Sequence, residues 1–535
     1  GARMNTAEYL LAALAQRGTK RIYGVPGGGS SLDIIAAAER FGIRFILARH
    51  EGNAAMMAVA DAEVTGAPGV VLTTKGPGLM NALNGVACAA LERAPVLLLT
   101  DGFTEKQLSY ITHQVFDQRA ASAELVKGYT QARSDNPAAE IEALLDLAMQ
   151  APIGPVHLDL TSEAARRPAG ELLPSPQNTA TPLDADALAE ARAMLAASRK
   201  PVILAGVEAV AAAEPLRALV AALGCPTLVT YKAKGVIADA DPHFVGIFTG
   251  GSLEAPCVQD ADLIILAGLD PVELILQRWR YKAPVLDIGL RAHPVHYVTP
   301  SAALHGALAP NFAALTQSAT RSTWKVAEIA AHRDAMRAAL TWQGSGGVAP
   351  PRIVPLAQAA ARRAGRRPRI SVDAGAHMFS ATAFWECAAP RDVLISNGLA
   401  SMGFALPAAL AAALENPADG AIAFTGDGGL MMCVAELATA AEAGAPCITI
   451  VFNDGALSLI DIKQQQRQLQ PEGVRWARPD FAAIAEGFGA KGFSAATEAD
   501  YIVALDAAFA HKGPSLIDVT VNPAGYPAQL QAMRG

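Results

Sequence analysis

Short uninterrupted apolar runs recur along the chain, separated by stretches in which apolar positions return every three or four residues. In the first third, "RIYGV", "RFILA", "GVVLTT" and "PVLLLT" read as buried strands. Between them, "AEYLLAALAQRG" and "SSLDIIAAAERFG" have helical periodicity, the second with a serine cap and a closing glycine. Continuous apolar strands alternating with helices predict a parallel sheet covered on both faces. This block closes near "GPVHLDLT", Gly154 to Thr161. The polar, proline-rich "EAARRPAGELLPSPQNTATPLD" then reads as a linker. Helix resumes at "ADALAEARAMLAAS", followed by the strands "PVILAG", "PTLVTY", "ADLIILAG" and "APVLDIG". After a second linker, "WQGSGGVAPPR", the strands "RISVD", "GAIAFTG", "CITIVFN" and "SLIDVTV" alternate with helices. The expected fold class is α/β, as three doubly wound parallel-sheet domains over residues 1–165, 183–345 and 351–535.

Composition narrows the function classes. A chain of 535 residues suits about three domains. With 52% hydrophobic and 17% charged residues it can bury large cores and large interfaces. The net charge of -7 and the lack of a Lys/Arg-rich block argue against nucleic acid as a partner. Six scattered cysteines without a CxxC pair fit a reducing compartment and give no zinc spacing. Residues 1–3, before Met4, look like a cloning remnant, and no signal peptide is visible after them. No apolar run is long enough to suggest a membrane span, so a cytoplasmic location is expected.

Candidate chemistry concentrates in "FTGDGGLMMCVAELATAAEAGAPCITIVFND", Phe424 to Asp454. Two predicted strands end on Gly426-Asp427-Gly428-Gly429 and on Asn453-Asp454-Gly455. In an open parallel sheet, ligands bind beyond the carboxyl ends of the strands. The glycines allow a phosphate close to the backbone at a helix N-terminus. A bare Asp427 would repel that phosphate unless it held a divalent cation the phosphate also binds. Carboxylate, amide and carbonyl oxygens suit magnesium. The competing reading is a turn whose Asp caps a helix. One echo stands out. "LTTKGPGLMNALNGVACAA" and "AFTGDGGLMMCVAELATAA" share a strand–glycine turn–helix layout, with Gly76 and Gly426 lying 350 positions apart. Either the first and third domains share an ancestor, or strand-to-helix turns simply favour glycine.

The GDG, the 24 intervening residues and the Asn resemble the thiamin diphosphate motif of the enzymes that use that cofactor. Further segments match the same family in order. "ARHEGNAAMMA" resembles its "RHE" segment, and "TTKGPGLMNAL" its "TSGPGxxN". "HQVFDQ" resembles "FQExDQ", "VDAGAH" resembles "VGQH", and "YGVPGGG" resembles "GYPGG". "NGLASMGFALPAAL" resembles "GGLGTMGFGLPAAI". The likeness spans essentially the whole chain and is greatest to the acetolactate synthase branch. It implies a pyrimidine-binding first domain, a middle domain and a diphosphate-binding third domain. Asp427, Asn453 and the Gly455 carbonyl would bind Mg²⁺. Gly426, Gly428, Gly429 and His377 would surround the diphosphate. Gly27, Pro77, Asn81 and Ala400 would bind the cofactor, Gly27 near its ring, and the bulky Met402 would bend it. Glu51 would hydrogen-bond the aminopyrimidine, and Gln114 would face the reacting centre. Each residue alone has a plainer reading: Glu51 as a helix-starting acid, Met402 as core, His377 as a loop histidine. The family's sites form across a subunit boundary, so a homodimer or homotetramer is implied.

The resemblance implies decarboxylation of a 2-keto acid and transfer of the remaining fragment to a carbonyl acceptor. Departures from the family bear on the reaction. Simple decarboxylases of the pyruvate type carry a glutamate six residues after the metal-binding Asn, where this chain has Leu459. They also use an adjacent His pair, which is absent here. Loss of a proton donor favours carboligation or lyase chemistry. Ile462 stands where acetolactate synthases have a tryptophan, which departs from that branch. "GLDPVEL" replaces their "RFDDR" in the middle domain, which puts FAD in doubt and favours its absence. Gly28, Lys75, Leu459 and Lys463 are the candidate substrate contacts. The alternatives are a benzoylformate-type decarboxylase, an acyl-CoA lyase or decarboxylase resembling oxalyl-CoA decarboxylase, and a nucleotide-binding regulator.

Overall fold

The computed structural model describes residues 3–176, 181–275 and 278–535. Among them are three six-stranded sheets. Every strand pair within these sheets is parallel. The expectation of three covered parallel sheets is therefore borne out. Their central strands, such as Gly69–Thr73, Leu263–Ala267 and Cys447–Asn453, are buried at every position. That is why they read as continuous apolar runs rather than as an alternation.

Sheet order sharpens the internal echo. Numbered by position within each domain, the first and third sheets both run 2-1-3-4-6-5, while the middle sheet runs 3-2-1-4-5-6. The two echoing glycine turns both follow the third strand of their sheet, Gly69–Thr73 and Ala421–Gly426. Shared order and equivalent turn positions support common ancestry over a general preference for glycine in turns.

Part of the first predicted linker is structured. Ser162–Arg166 is helical, and Pro168–Gly170 pairs antiparallel with Met4–Asn5, tying the chain's start to the end of the first domain. Residues 177–180 of that linker lie outside the described set. The second linker also folds in part. Pro350 opens the helix Pro350–Arg363, and Val348 bridges Val521. Proline at the start of a helix costs no hydrogen bond, because the first N–H groups lack partners anyway.

Small residues let the first and third domains approach closely. Helices Glu51–Thr65 and Ala405–Glu415 share one core cluster, in which Ala54, Ala55, Ala58, Ala408, Ala409 and Ala412 are buried. Helix Pro77–Leu91 lies so near Glu51–Thr65 that a Cβ on Gly85 would sit 2.2 Å from that of Ala55. This packing sets the position of both helix starts, where the site residues are found.

Candidate active site

The third domain carries one half of the site. Gly426 ends its strand, Asp427 opens the helix Asp427–Met431, and Asn453 ends the neighbouring strand. Parallel register places Gly426 opposite Phe452, so both turns emerge at the same sheet edge. Asp427 is buried and accepts from the Gly455 N–H at 2.9 Å and the Trp476 indole at 3.0 Å. Burial and the adjacent Asp454 push its carboxyl up to about 7. Asp454, also raised by burial, accepts from the Ser458 hydroxyl. Asn453 donates to Asp518 at 2.9 Å, which aims its amide; its carbonyl oxygen is buried without a partner. An orphaned acceptor costs roughly 1–3 kcal/mol. Beside two crowded carboxylates, that acceptor fits a bound cation.

The surrounding cavity of about 260 Å³ is lined by third-domain residues, including His377, Ala400, Met402, Gly428 and Leu459. His377 packs against the glycine turn: a Cβ on Gly426 would lie 3.4 Å from its Nδ1. Its Nε2 is 2.8 Å from Asp373, yet neither atom makes a geometrically sound hydrogen bond. A Cβ on Gly428 would come within 3.1 Å of Met402, Leu457 and Trp476, so this glycine leaves space at the cavity floor. Ala400 adopts φ +56°, a left-handed conformation costly for a non-glycine residue.

The first domain carries the other half. Glu51 is the first residue of its helix and is buried, so the plain helix-dipole reading of it also holds. It additionally faces the glycine turn: Asn81 Nδ2 donates to it at 3.4 Å, and a Cβ on Gly78 would lie 3.3 Å from its Oε2. Pro77 is the first residue of helix Pro77–Leu91. Gln114, at φ +60°, packs on Gly76. Gly27 lies against Thr74 and Asp101, with no room for a Cβ, whereas Gly28 is open. The Lys75 ammonium sits 4.7 Å over the Phe103 ring, and Phe103 and Gln114 line a common cavity. Lys463 is exposed on helix Ser458–Gln466 and lines neither cavity, so the structure does not bring it to the site.

Three family models match the chain in order. Residues 4–124 match the N-terminal thiamine pyrophosphate binding domain, 188–302 the central domain, and 373–519 the C-terminal thiamine pyrophosphate binding domain. The chain belongs to the thiamine pyrophosphate enzyme family. Thiamin diphosphate, the same compound, is its cofactor, and its chemistry makes or breaks carbon–carbon bonds. Among relatives, a catabolic acetolactate synthase of Raoultella terrigena is 30% identical over 96% of this chain and 95% of its own. The acetolactate synthase isozyme 2 large subunit of Escherichia coli is 28% identical, covering 97% and 96%. A probable 2-ketoarginine decarboxylase of Pseudomonas aeruginosa is 29% identical, covering 91% and 88%. These place this family member in the acetolactate synthase-like branch.

Several residues around the cofactor cavity escaped the sequence reading. Trp476 and Tyr526 reach it from irregular or C-terminal segments that no motif marks. Asp454 was visible beside Asn453, but its crowding with Asp427 was not. In the middle domain, the crevice between the first and fourth strands holds acids. Glu273 accepts from the Val207 and Asp270 N–H groups, and Glu208 from the Leu290 N–H. These are the donors a dinucleotide diphosphate would need at a switch point, and the chain's own carboxylates take them. Among the described residues, no helix is long and apolar enough to cross a membrane.

Proposed function

We propose that the protein is a Mg²⁺-dependent 2-keto acid carboligase or lyase that decarboxylates its donor and transfers the remaining fragment to a carbonyl acceptor. The observation that carries this reading is the Asp427–Asn453–Gly455 turn pair. One buried carboxylate and one orphaned amide oxygen lie there at neighbouring strand ends, beside a glycine turn. Asp427, Asn453 and the Gly455 carbonyl would hold Mg²⁺. Gly426, Gly428, Gly429 and His377 would receive the diphosphate at the helix start.

Bound thiamin diphosphate supplies an electron sink for the fragment left when a 2-keto acid loses CO₂. Glu51 would hold a proton at the aminopyrimidine ring. Met402 would press on the cofactor's bend, and Gln114 with Lys75 would orient substrate oxygens. The end of the cavity formed by Leu457, Leu459 and Ile460 is aliphatic. It would exclude water and leave no carboxylic acid there to quench the fragment, which favours transfer to an acceptor. The Asp427 cavity lining includes no first-domain residue. A second copy of the chain would therefore bring Glu51 to it, making the working unit a homodimer or a dimer of dimers. The acid-filled middle crevice favours a flavin-free enzyme.

Incubation with thiamin diphosphate, Mg²⁺ and a panel of 2-keto acids, with CO₂ and products measured, tests the reading. Ligated 2-hydroxyketone products are expected. An aldehyde as sole product, left when the fragment takes up a proton, would instead point to the decarboxylase reading, which the 2-ketoarginine decarboxylase relative favours. No consumption of any keto acid would overturn both.

A further inference from the structure

Helix Pro77–Leu91 ends on Glu92, a first-domain carboxylate that is almost wholly buried, and this carboxylate grips a third-domain segment. It accepts from the Asn397 N–H at 3.1 Å, the Gly398 N–H at 3.0 Å and the Leu399 N–H at 3.0 Å. It also accepts from the Ser396 hydroxyl at 3.1 Å. The same Ser396 oxygen accepts from the Ser401 N–H at 3.1 Å. A two-bond relay thus runs from Glu92 to the residue before Met402. Close approach fixes the geometry further: a Cβ on Gly398 would sit 2.3 Å from the Leu91 carbonyl oxygen. From the middle domain, buried Lys232 donates to the Ile395 carbonyl at 2.9 Å and lies 3.5 Å from Glu92. Asn84, on the same first-domain helix, donates to the Ser401 hydroxyl at 3.2 Å.

We propose that Glu92 is a positioning residue for the reaction: it sets the backbone of residues 396–401 and thereby the place of Met402. The inference rests on the reading of Met402 given above. Three consecutive N–H groups converging on one carboxylate form an anion nest, here filled by an internal anion from another domain. Such charge-assisted bonds are short and directional, so they hold the strained Ala400 turn in one conformation. A glutamine would fill the same volume but present an NH₂ group to donors already pointing inward. The nest would then open without loss of bulk.

The test uses the full chain. First, amide hydrogen exchange of the cofactor-free protein is compared between wild type and Glu92→Gln. The 397–399 amides are expected to exchange at least about tenfold faster in the variant while the sheet cores keep their protection. Second, exchange of the cofactor's C2 proton for deuterium in the loaded protein is followed by NMR after acid quench. It is expected to slow in Glu92→Gln and in Ser396→Ala, the latter breaking the relay but leaving the three N–H bonds to Glu92 in place. At saturating cofactor, kcat should fall with KM for the keto acid little changed, and Glu92→Asp should recover part of the loss. Should Glu92→Gln fail to fold, Ser396→Ala alone carries the test. Wild-type amide and C2 exchange rates in the variants would overturn the proposal. So would a loss of folded fraction with normal C2 exchange in the molecules that remain folded. Wild-type protein that binds no cofactor would count against the functional reading instead, with the amide result still standing for Glu92.

Discussion

At the scale of residues, environment separates groups that look alike in sequence. Glu51 and Asp427 are both buried acids at helix starts, yet Asp427 also faces Asp454 and is pushed up to about 7. Replacing Glu51 with Gln is expected to lower kcat by about 10²–10⁴-fold, the usual worth of a positioned acid or base. Cofactor affinity by calorimetry should change little. An unchanged turnover would contradict the assignment of Glu51. A second residue-scale expectation concerns acid stability. His157 bonds Thr100 and Ser122 through its two ring nitrogens, and burial lowers its pKa to about 3. The folded state therefore binds fewer protons than the unfolded one. The stability His157 contributes is full above about pH 6.5 and is lost as pH falls towards 3. At pH 5 the loss is about 2 kcal/mol. A His157→Gln variant should thus lose less of its Tm than wild type between pH 7.5 and 5, measured by thermal denaturation.

At the scale of elements, the sequence exposed what is periodic or motif-borne and hid what depends on irregular chain. Buried strands announced themselves as apolar runs, and the glycine turns lay at their ends because close backbone approach demands glycine there. Short edge strands such as Tyr129–Thr130 and Phe244–Ile247 carry too few residues to show a pattern. Pro168–Gly170 hid inside a proline-rich stretch, because proline suits an edge strand as well as a linker. Trp476 was invisible as a site residue. It reaches Asp427 only because Ala456 bridges Arg475 and brings the following segment back over the turn. That contact makes a readout. Binding of thiamin diphosphate with Mg²⁺ should change Trp476 fluorescence as its indole gives up Asp427. A Trp476→Phe variant should lose most of that signal while still binding the cofactor.

At the scale of the whole molecule, the two halves of the site sit on different domains, and the cavity around Asp427 draws on the third alone. If a second copy completes each site, two inactive variants should complement. Co-expressed Glu51→Gln and Asp427→Asn chains would form mixed dimers with one intact site. About one quarter of wild-type activity is then expected from random pairing. Activity no greater than that of either variant alone would argue for a site completed within one chain. The family and the cofactor were legible from linear motifs. The contacts that join the three domains within one chain were not, because Glu92, Lys232 and Ser396 sit in stretches whose meaning appears only when three domains meet.

The central claim is that the Asp427–Asn453–Gly455 turn pair anchors thiamin diphosphate through Mg²⁺, and isothermal titration calorimetry of the cofactor-stripped chain tests it most directly. The expected result is one thiamin diphosphate bound per chain, dependent on Mg²⁺ and abolished in Asp427→Asn with the fold intact by circular dichroism. Equal binding without the metal, or undiminished binding by Asp427→Asn, would contradict it.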